Sequence, residues 1–341
     1  MQEWHQFLQS SSNAVITDNK IEHFGDPAGE LDATSTGLVI CDLSHLGLLE
    51  LDGADAFTFL QGQVTNDIKQ LTGDNAHYTG YCSPKGRMLA LFLAFSHHGH
   101  LHLQMPKELV ESIAKRLRMY VMRSQVVITD VSSSIVKLGL TGSNAAKLLV
   151  TIFPNVPNQD YALVNSEQSA LIKLPGAIPR YEIFTNATEA QIIWNTLRQY
   201  AKPVGATNWE WLEIQAGIPD VTLKTQGEFV PQMLNLDAFN AINYKKGCYT
   251  GQEIVARTHY LGKVKRRTQL AHLDTVLAPI VGDDIIDTNK QAIGKIVRSA
   301  PAIEGGYDVL AECRLENIEE GIYWNGTRLS IKPLPYSLEA A

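Results

Sequence analysis

A chain of 341 residues has room for about two domains of roughly 150 residues each. Hydrophobic residues make up 45% and charged residues 19% of the sequence, which is ordinary globular usage and excludes a mainly disordered protein. The formal net charge is −7. A nucleic-acid-binding surface covering the whole molecule is therefore excluded, because it would need an excess of Lys and Arg.

The cysteines indicate a reducing compartment. Cys41, Cys82, Cys248 and Cys313 are scattered and form no CxxC pair, so the sequence encodes no locally spaced zinc or iron–sulfur site. The first residues lack the basic and apolar regions of a signal peptide, and no apolar run reaches the roughly 18–20 residues of a membrane span. We expect a cytoplasmic protein without a membrane partner.

The first half of the chain alternates apolar segments with turn sequences. Ser83-Pro84-Lys85-Gly86 is one such turn, because proline fixes φ and glycine permits a positive φ. The predicted elements are a strand over 46–53, a short helix over 54–61, strands over 76–83, 87–95 and 101–105, an amphipathic helix over 106–123 and a strand over 126–131.

The pattern then restarts. Residues 138–149 resemble residues 49–60, and Gly142 stands where Gly53 stands in the first copy. Each copy continues with a short helix, strands and a longer helix, predicted over 106–123 and 188–200. We interpret this as two copies of a split βαβ unit, the alternative being a chance alignment.

From residue 268 short apolar segments alternate with Gly and Asp turns, and no helical period remains. This texture predicts a small antiparallel β-barrel. The predicted domains are therefore a first α+β region over 1–130, a second α+β region over 131–267 and the barrel over 268–341.

The strongest charge asymmetry lies in residues 244–267, YKKGCYTGQEIVARTHYLGKVKRR. One acid, Glu253, stands among seven basic residues, so the segment carries +6 and the remainder of the chain −13. Such a patch suits an anionic ligand tail or RNA phosphates, and the alternative is a solvated basic linker. The basic residues are Lys245, Lys246, Arg257, Lys263, Lys265, Arg266 and Arg267.

Within this segment Gly247 and Gly251 flank Cys248. The glycines permit a tight backbone path and the close approach of a ligand. Gln252-Glu253 then begins a predicted helix with an acid in its first turn. Two lysines and the helix N-terminus favour a thiolate at Cys248, the alternative being a small buried cysteine.

The nine residues KKGCYTGQE resemble the K-G-C-Y-x-G-Q-E signature of the folate-binding YgfZ family, which is related to the glycine-cleavage T-protein, an aminomethyltransferase. The resemblance spans about residues 38–338. It implies an α+β fold with two related, interleaved α+β domains and a C-terminal antiparallel β-barrel around a central channel. The supporting segments are 53–55, 60–67, 85–88, 229–232 and 333–337.

The resemblance also implies a function. It implies that tetrahydrofolate or a derivative binds, and that the protein supports iron–sulfur enzymes such as tRNA methylthiotransferases. Residues 245–267 are expected to make at most a weak RNA contact, and we expect a monomer. Two alternatives are a folate-dependent aminomethyltransferase and a simple RNA-binding module.

Site residues follow from the resemblance position by position. Trp209 matches a family tryptophan expected to contact folate, and core packing is its alternative. Gln215 stands where T-proteins have a glutamate, so a bidentate bond to the pterin is in doubt. Cys248 is the candidate catalytic residue. The other cofactor-binding residues implied are Lys246, Gly247, Tyr249, Gly251, Gln252, Glu253 and Arg257.

The position of the T-protein catalytic aspartate, on the strand after the 83–86 turn, is occupied by Leu89 or Ala90. Neither side chain transfers a proton, so aminomethyl transfer is not expected. We expect no metal site either, because His97, His98, His100 and His102 have no acid or cysteine within their run.

Overall fold

The computed structural model describes residues 1–338, so the last three residues of the predicted C-terminal domain lie outside the described part. The α-helices of that part are α1 Gln2–Ser12, α2 Pro27–Thr36, α3 Ala56–Gln61, α4 Val110–Val121, α5 Ala145–Leu149, α6 Ala187–Leu197, α7 Ala206–Gln215 and α8 Gln252–Tyr260. The strands are β1 Val15–Thr17, β2 Lys20–His23, β3 Val39–Asp42, β4 Leu46–Asp52, β5 Ala76–Cys82, β6 Met88–His97, β7 His100–Pro106, β8 Val127–Asp130, β9 Val136–Thr141, β10 Leu163–Asn165, β11 Ser169–Leu174, β12 Arg180–Thr185, β13 Lys202–Val204, β14 Arg266–Leu273, β15 Asp284–Ile286, β16 Ala292–Pro301, β17 Tyr307–Arg314, β18 Tyr323–Trp324, β19 Thr327–Arg328 and β20 Ser330–Lys332.

The two α+β sheets share one strand order. It is β5-β6-β7-β4-β8 in the first sheet and β10-β11-β12-β9-β3-β13 in the second, where β3 is inserted before the last strand. Gly53 and Gly142 have equivalent roles, because a Cβ atom would lie 2.1 Å from the Gln125 carbonyl oxygen at Gly53 and 2.4 Å from that of Gly37 at Gly142. The predicted repeat is thus present. Insertion of the early strand β3 interleaves the two copies.

The predicted helix over 106–123 is shorter than expected. Residues 107–109 form a 3₁₀ turn, and α4 begins at Val110 and ends at Val121. Met122 has a φ of +43°, a conformation outside the helical region, which ends the helix. The predicted helix over 54–61 likewise begins only at Ala56.

One hydrophobic core lies against the second sheet. It includes Trp4 of α1, Leu138 and Leu140 of β9, and Ile193 and Trp194 of α6, each at most 1% exposed. Helix α6 buries one apolar face, and each such side chain contributes about 1.5–3 kcal/mol. The Asn186 side chain begins this helix by accepting a hydrogen bond from the Glu189 backbone N–H at 2.9 Å.

The C-terminal strands form a seven-stranded antiparallel sheet that nearly closes into a barrel, in the order β19-β18-β15-β16-β17-β14-β20. Its core is a separate apolar cluster that includes Leu273, Ile296, Val309 and Ala311. The predicted α+β class with a C-terminal barrel is therefore confirmed.

The chain forms two compact units, each assembled from separated segments. The first comprises Met1–Ala56, Gln70–His77 and Leu93–Trp209. The second comprises Phe57–Lys69, Tyr78–Phe92 and the chain from Glu210 onward. The boundaries predicted at residues 130 and 267 remain predictions. In residues 1–338 no helix has the length and apolar content that a bilayer crossing demands.

Candidate functional site

The predicted site residues are divided between the two units. Trp209 is the last residue of the first unit. Gln215 and the predicted residues between Lys246 and Arg257 belong to the second unit. Each group is described within its own unit.

Trp209, on α7, is 2% exposed. Its ring lies against Gly139 of β9, where a Cβ atom would be 2.5 Å from the indole, so only glycine fits there. The Arg180 guanidinium lies 5.7 Å from the ring centroid. The indole Nε1 is buried and has no hydrogen-bond partner in the described residues. Trp209 therefore presents an unpaired donor, while its stacking on folate stays a prediction.

Charged side chains are buried on the same face of the second sheet. Lys137, Arg180 and Glu182 are each at most 2% exposed. Burial lowers the pKa of Lys137 to about 8, and the Asp42 carboxylate opposes that shift. Sequence reasoning missed these residues, because polar residues that alternate with apolar ones in a strand normally face solvent.

Gln215 takes part in a buried polar network with the barrel. Its Nε2 donates to Asp308 Oδ2 at 2.8 Å, and the same oxygen accepts from Trp211 Nε1 at 3.0 Å. The other Asp308 oxygen accepts from Lys332 Nζ at 3.1 Å and lies 3.0 Å from His272 Nδ1. The amide of Gln215 is therefore bound to Asp308.

Lys246 is buried, and its ammonium binds three backbone carbonyls. Nζ donates to the carbonyl oxygens of Gln61 at 2.8 Å, Val64 at 2.6 Å and Asn66 at 2.7 Å. It also lies 5.2 Å from the centroid of the Tyr249 ring. Burial lowers the pKa of Lys246 to about 8. Its charge therefore holds the KGCYTGQE segment on the loop of residues 61–66.

The two glycines of the segment differ. Gly251 has a φ of +83°, and a Cβ atom there would lie 2.4 Å from the Ser83 carbonyl oxygen. Gly247 lies outside the left-handed region, and a Cβ atom there would meet nothing within 4 Å. Gly251 is required where α8 meets the 83–86 turn, whereas Gly247 leaves open space beside Cys248.

Helix α8 is held by the segment over residues 229–232. Gln232 Nε2 donates to the Val255 carbonyl oxygen at 2.8 Å, and the Phe229 carbonyl accepts from the Met88 N–H at 2.8 Å. Glu253 and Arg257 are exposed. Four segments that carry the family resemblance, 60–67, 85–88, 229–232 and 246–253, therefore meet in the second unit. Gln252 is partly exposed and Tyr249 is buried.

Cys248 is exposed, whereas Cys41, Cys82 and Cys313 are buried and free. Burial raises the pKa of Cys82 and of Cys313 to about 12 and the pKa of Cys41 well above its ordinary value. Thiol chemistry with an external molecule is therefore open to Cys248 and closed to the other three.

The exposed part of the basic segment is smaller than its sequence predicts. Arg266 pairs with Glu312 at 2.6 Å, Arg267 pairs with Asp237, and Lys246 is bound to carbonyls as described above. The basic residues whose side chains remain exposed are Lys245, Arg257, Lys263 and Lys265. The patch therefore presents four exposed positive charges instead of seven, and Arg266 stays partly exposed beside its partner Glu312.

The two positions predicted to replace the T-protein aspartate carry no ionisable group. Leu89 is partly buried and Ala90 is fully buried in β6. In the histidine run, His102 Nε2 lies 3.3 Å from Glu50 of the neighbouring strand β4. Within residues 1–338 no group of three or more His, Cys, Asp or Glu is arranged to hold a metal ion.

Comparison of the sequence with known proteins matches the chain to one domain family and to several curated relatives. Residues 10–244 match the GCVT N-terminal domain. A tRNA-modifying protein YgfZ from Yersinia enterocolitica is 30% identical over 321 residues, covering 90% of this chain and 95% of that protein. One from Colwellia psychrerythraea is 36% identical over 252 residues, covering 73% and 75%.

Among solved structures, the glycine cleavage system aminomethyltransferase T from Bartonella henselae superposes with a TM-score of 0.80 and 15% identity. The match covers 99% of this chain and 98% of that one. It shows that the fold is the T-protein fold, as the signature predicted.

Proposed function

The chain belongs to the YgfZ family of proteins with a GCVT N-terminal domain, and on that premise we propose that it is a folate-binding accessory protein for iron–sulfur enzymes, including enzymes that modify tRNA. Tetrahydrofolate or a derivative is the proposed cofactor, and tRNA methylthiotransferases are the proposed partners. Because all four cysteines are free, we also propose a reducing, cytoplasmic location.

The exposed thiol of Cys248 is the observation that carries the proposal. It lies on a segment that Lys246 holds through three hydrogen bonds, so the thiol is presented from a fixed backbone. A single exposed thiol is able to bind a sulfur species or an iron ion in passing, although one cysteine makes no stable cluster site. A thiol of this kind is better suited to pass the bound sulfur species or iron ion to a client enzyme than to store it.

The residues of this chain fit a folate in part. A reduced folate supplies hydrogen-bond acceptors on its pterin ring and an anionic glutamyl tail. In the first unit, the unpaired Trp209 Nε1 is a buried donor for an acceptor of this kind. In the second unit, taken by itself, the exposed Lys245 and Arg257 are cations able to pair with an anionic group. Lys246 and Gln215 are bound within the protein, so we assign them to positioning the site.

The experiment that tests the proposal compares Cys248→Ala with Cys82→Ala. Both variants remove a thiol, but only Cys248 is exposed. In a cell that depends on this protein, at matched protein levels, we expect Cys248→Ala to lose activity of iron–sulfur tRNA-modifying enzymes and Cys82→Ala to retain it.

Equal complementation by the two variants would make the thiol structural. The functional role would then move to Lys246, Gln252, Glu253 and Arg257. Iodoacetamide labelling of the folded protein provides the control for accessibility. We expect one modified thiol in the wild type and none in Cys248→Ala, because the other three are buried.

A further inference from the structure

A cleft of about 340 Å³ opens in the second unit, beside the barrel. Its charged lining comes from Arg87, in the β5–β6 turn, and from Arg266 and Lys295 of the barrel. Two acids, Glu228 and Asp284, also line it. Arg87 and Arg266 belong to segments described above, but none of the charged lining residues is assigned to folate or to the thiol chemistry of Cys248, so the inference does not rest on the proposed function.

The barrel wall of the cleft carries alternating charges across four strands. Asp284 of β15 pairs with Lys295 of β16 at 3.0 Å. Lys295 stands opposite Glu312 of β17 in the strand register. Glu312 accepts two hydrogen bonds from Arg266 of β14, from Nε at 2.6 Å and from Nη2 at 2.7 Å. Both oxygens of Glu312 therefore accept from Arg266, and the Glu312 side chain is fully buried.

Once these internal pairs have formed, both arginines of the cleft still have N–H groups without a partner in the described residues. Arg266 has Nη1 without a hydrogen-bond partner in the described residues, because Nε and Nη2 are bound to Glu312. Arg87 donates from Nη1 to the Glu228 carbonyl oxygen at 2.7 Å, which leaves its Nε and Nη2. A planar guanidinium with two adjacent N–H groups is suited to bind carboxylate or phosphate.

The acids do not oppose an anion strongly. Glu228 is exposed, and the Asp284 side chain is 60% exposed and paired with Lys295, so water and the lysine weaken the field of these carboxylates. The rest of the lining includes three apolar residues, the partly exposed Met233, the exposed Ala292 and the buried Phe229. A volume of about 340 Å³ is near the lower end for small-molecule sites and has room for a ring-sized group.

We propose that this cleft is a binding site for a small anion in which a carboxylate or phosphate group is attached to an apolar body. Arg87 and Arg266 bind the anionic group, and Met233 and Ala292 contact the body. Arg87 follows directly on Gly86, whose Cβ position would lie 2.7 Å from Ile254 of α8. The cleft is therefore adjacent to the turn against which helix α8 packs.

Calorimetry at low salt tests the proposal with three probes: phenyl phosphate, benzoate and inorganic phosphate. We expect the better of the two aromatic probes to bind more tightly than inorganic phosphate, because only the aromatic probes have an apolar body. If phenyl phosphate binds more tightly than benzoate, the natural ligand carries a phosphoryl group. If benzoate binds more tightly, the natural ligand carries a carboxylate.

Two variants test the lining. Arg87→Gln removes the charge, and Ala292→Phe fills the cleft while it keeps every charge. Each is expected to weaken binding about tenfold. Lys85→Gln, in the same turn but outside the lining, is the matched control and should change binding less than about twofold. No binding of any probe, or equal binding by all three variants, would overturn the proposal.

Discussion

At the scale of single residues, Lys246 shows how a buried charge positions a site. Removing an ammonium from water costs several kcal/mol unless other polar groups replace the lost hydration. The carbonyls of Gln61, Val64 and Asn66 provide that replacement. Because an ammonium has three donors, all of them are satisfied by the loop. Lys246 is therefore a positioning residue for Cys248.

We predict that Lys246→Met lowers the free energy of unfolding by about 2 kcal/mol, because three backbone carbonyls, those of Val64 and Asn66 in buried hydrogen bonds, lose their donor. Lys245→Met is the matched control, since Lys245 is exposed, and should change stability by less than about 0.5 kcal/mol. Urea unfolding of both variants measures the difference. Equal stability of the two variants would mean that water replaces the ammonium at no cost.

The buried indole N–H of Trp209 leads to a prediction about folate binding. Trp209→Phe keeps a ring against Gly139 but removes the Nε1 donor, which has no partner within the described residues. If that donor binds folate, affinity for tetrahydrofolate should fall by about 1–2 kcal/mol, or roughly fivefold to thirtyfold.

The control for Trp209 is Trp324→Phe. Trp324 Nε1 already donates to Asp283 at 2.9 Å, so this variant should leave folate affinity unchanged. Calorimetry with tetrahydrofolate at two salt concentrations provides the measurement, and binding should weaken as salt rises because the glutamyl tail is anionic. Wild-type protein that binds no reduced folate would contradict the proposed cofactor.

At the scale of elements, the junction between α8 and the β5–β6 turn determines where the KGCYTGQE segment lies. Gly251 precedes the first residue of α8 and Gly86 closes the turn. A residue with a side chain at either position would place its Cβ atom within 3 Å of the other element. The two elements therefore approach each other as closely as backbone allows, and a side chain at either position would separate them.

We predict that Gly251→Ala and Gly247→Ala differ in stability. Gly251→Ala places a Cβ at a positive φ and against Ser83, so the free energy of unfolding should fall by at least about 1 kcal/mol. Gly247→Ala meets open space at an ordinary φ and should change it by less than about 0.5 kcal/mol. Thermal unfolding followed by circular dichroism compares the pair, and equal midpoints would refute the assigned contact.

At the scale of the whole molecule, a shared fold does not carry a shared reaction. The chain has the T-protein fold at 15% identity to an aminomethyltransferase. Proton transfer needs an ionisable group, and Leu89 or Ala90 is expected from the sequence at the position of the T-protein aspartate. The fold supplies a scaffold, and function depends on the residues placed on it.

We therefore predict that this protein does not replace T-protein in a coupled glycine-cleavage assay. The authentic T-protein, assayed beside it at equal concentration, is the positive control. Glycine-dependent turnover above the background without T-protein would show that another acid performs the missing step. Aminomethyl transfer would then be an activity of this protein.

The amino-acid sequence by itself determined the features that depend on local chemistry. Gly53 and Gly142 marked the repeat because each permits a backbone path that other residues do not. The 83–86 turn and the alternating texture after residue 268 likewise predicted the β5–β6 hairpin and the barrel. The KGCYTGQE segment indicated the family, which the relatives confirm.

Only the tertiary structure decided which charges and polar groups of the site remain available. The sequence counts Lys246, Arg266 and Arg267 as exposed cations, but each is bound to a partner at least 30 positions away along the chain. Gln215 is bound to Asp308 in the same way, and Lys137 is buried within the second sheet. The physical reason is that the net charge is a sum over residues and can be read from the sequence. The hydration and pairing of each charged group depend instead on which atoms the fold brings within about 3 Å of it.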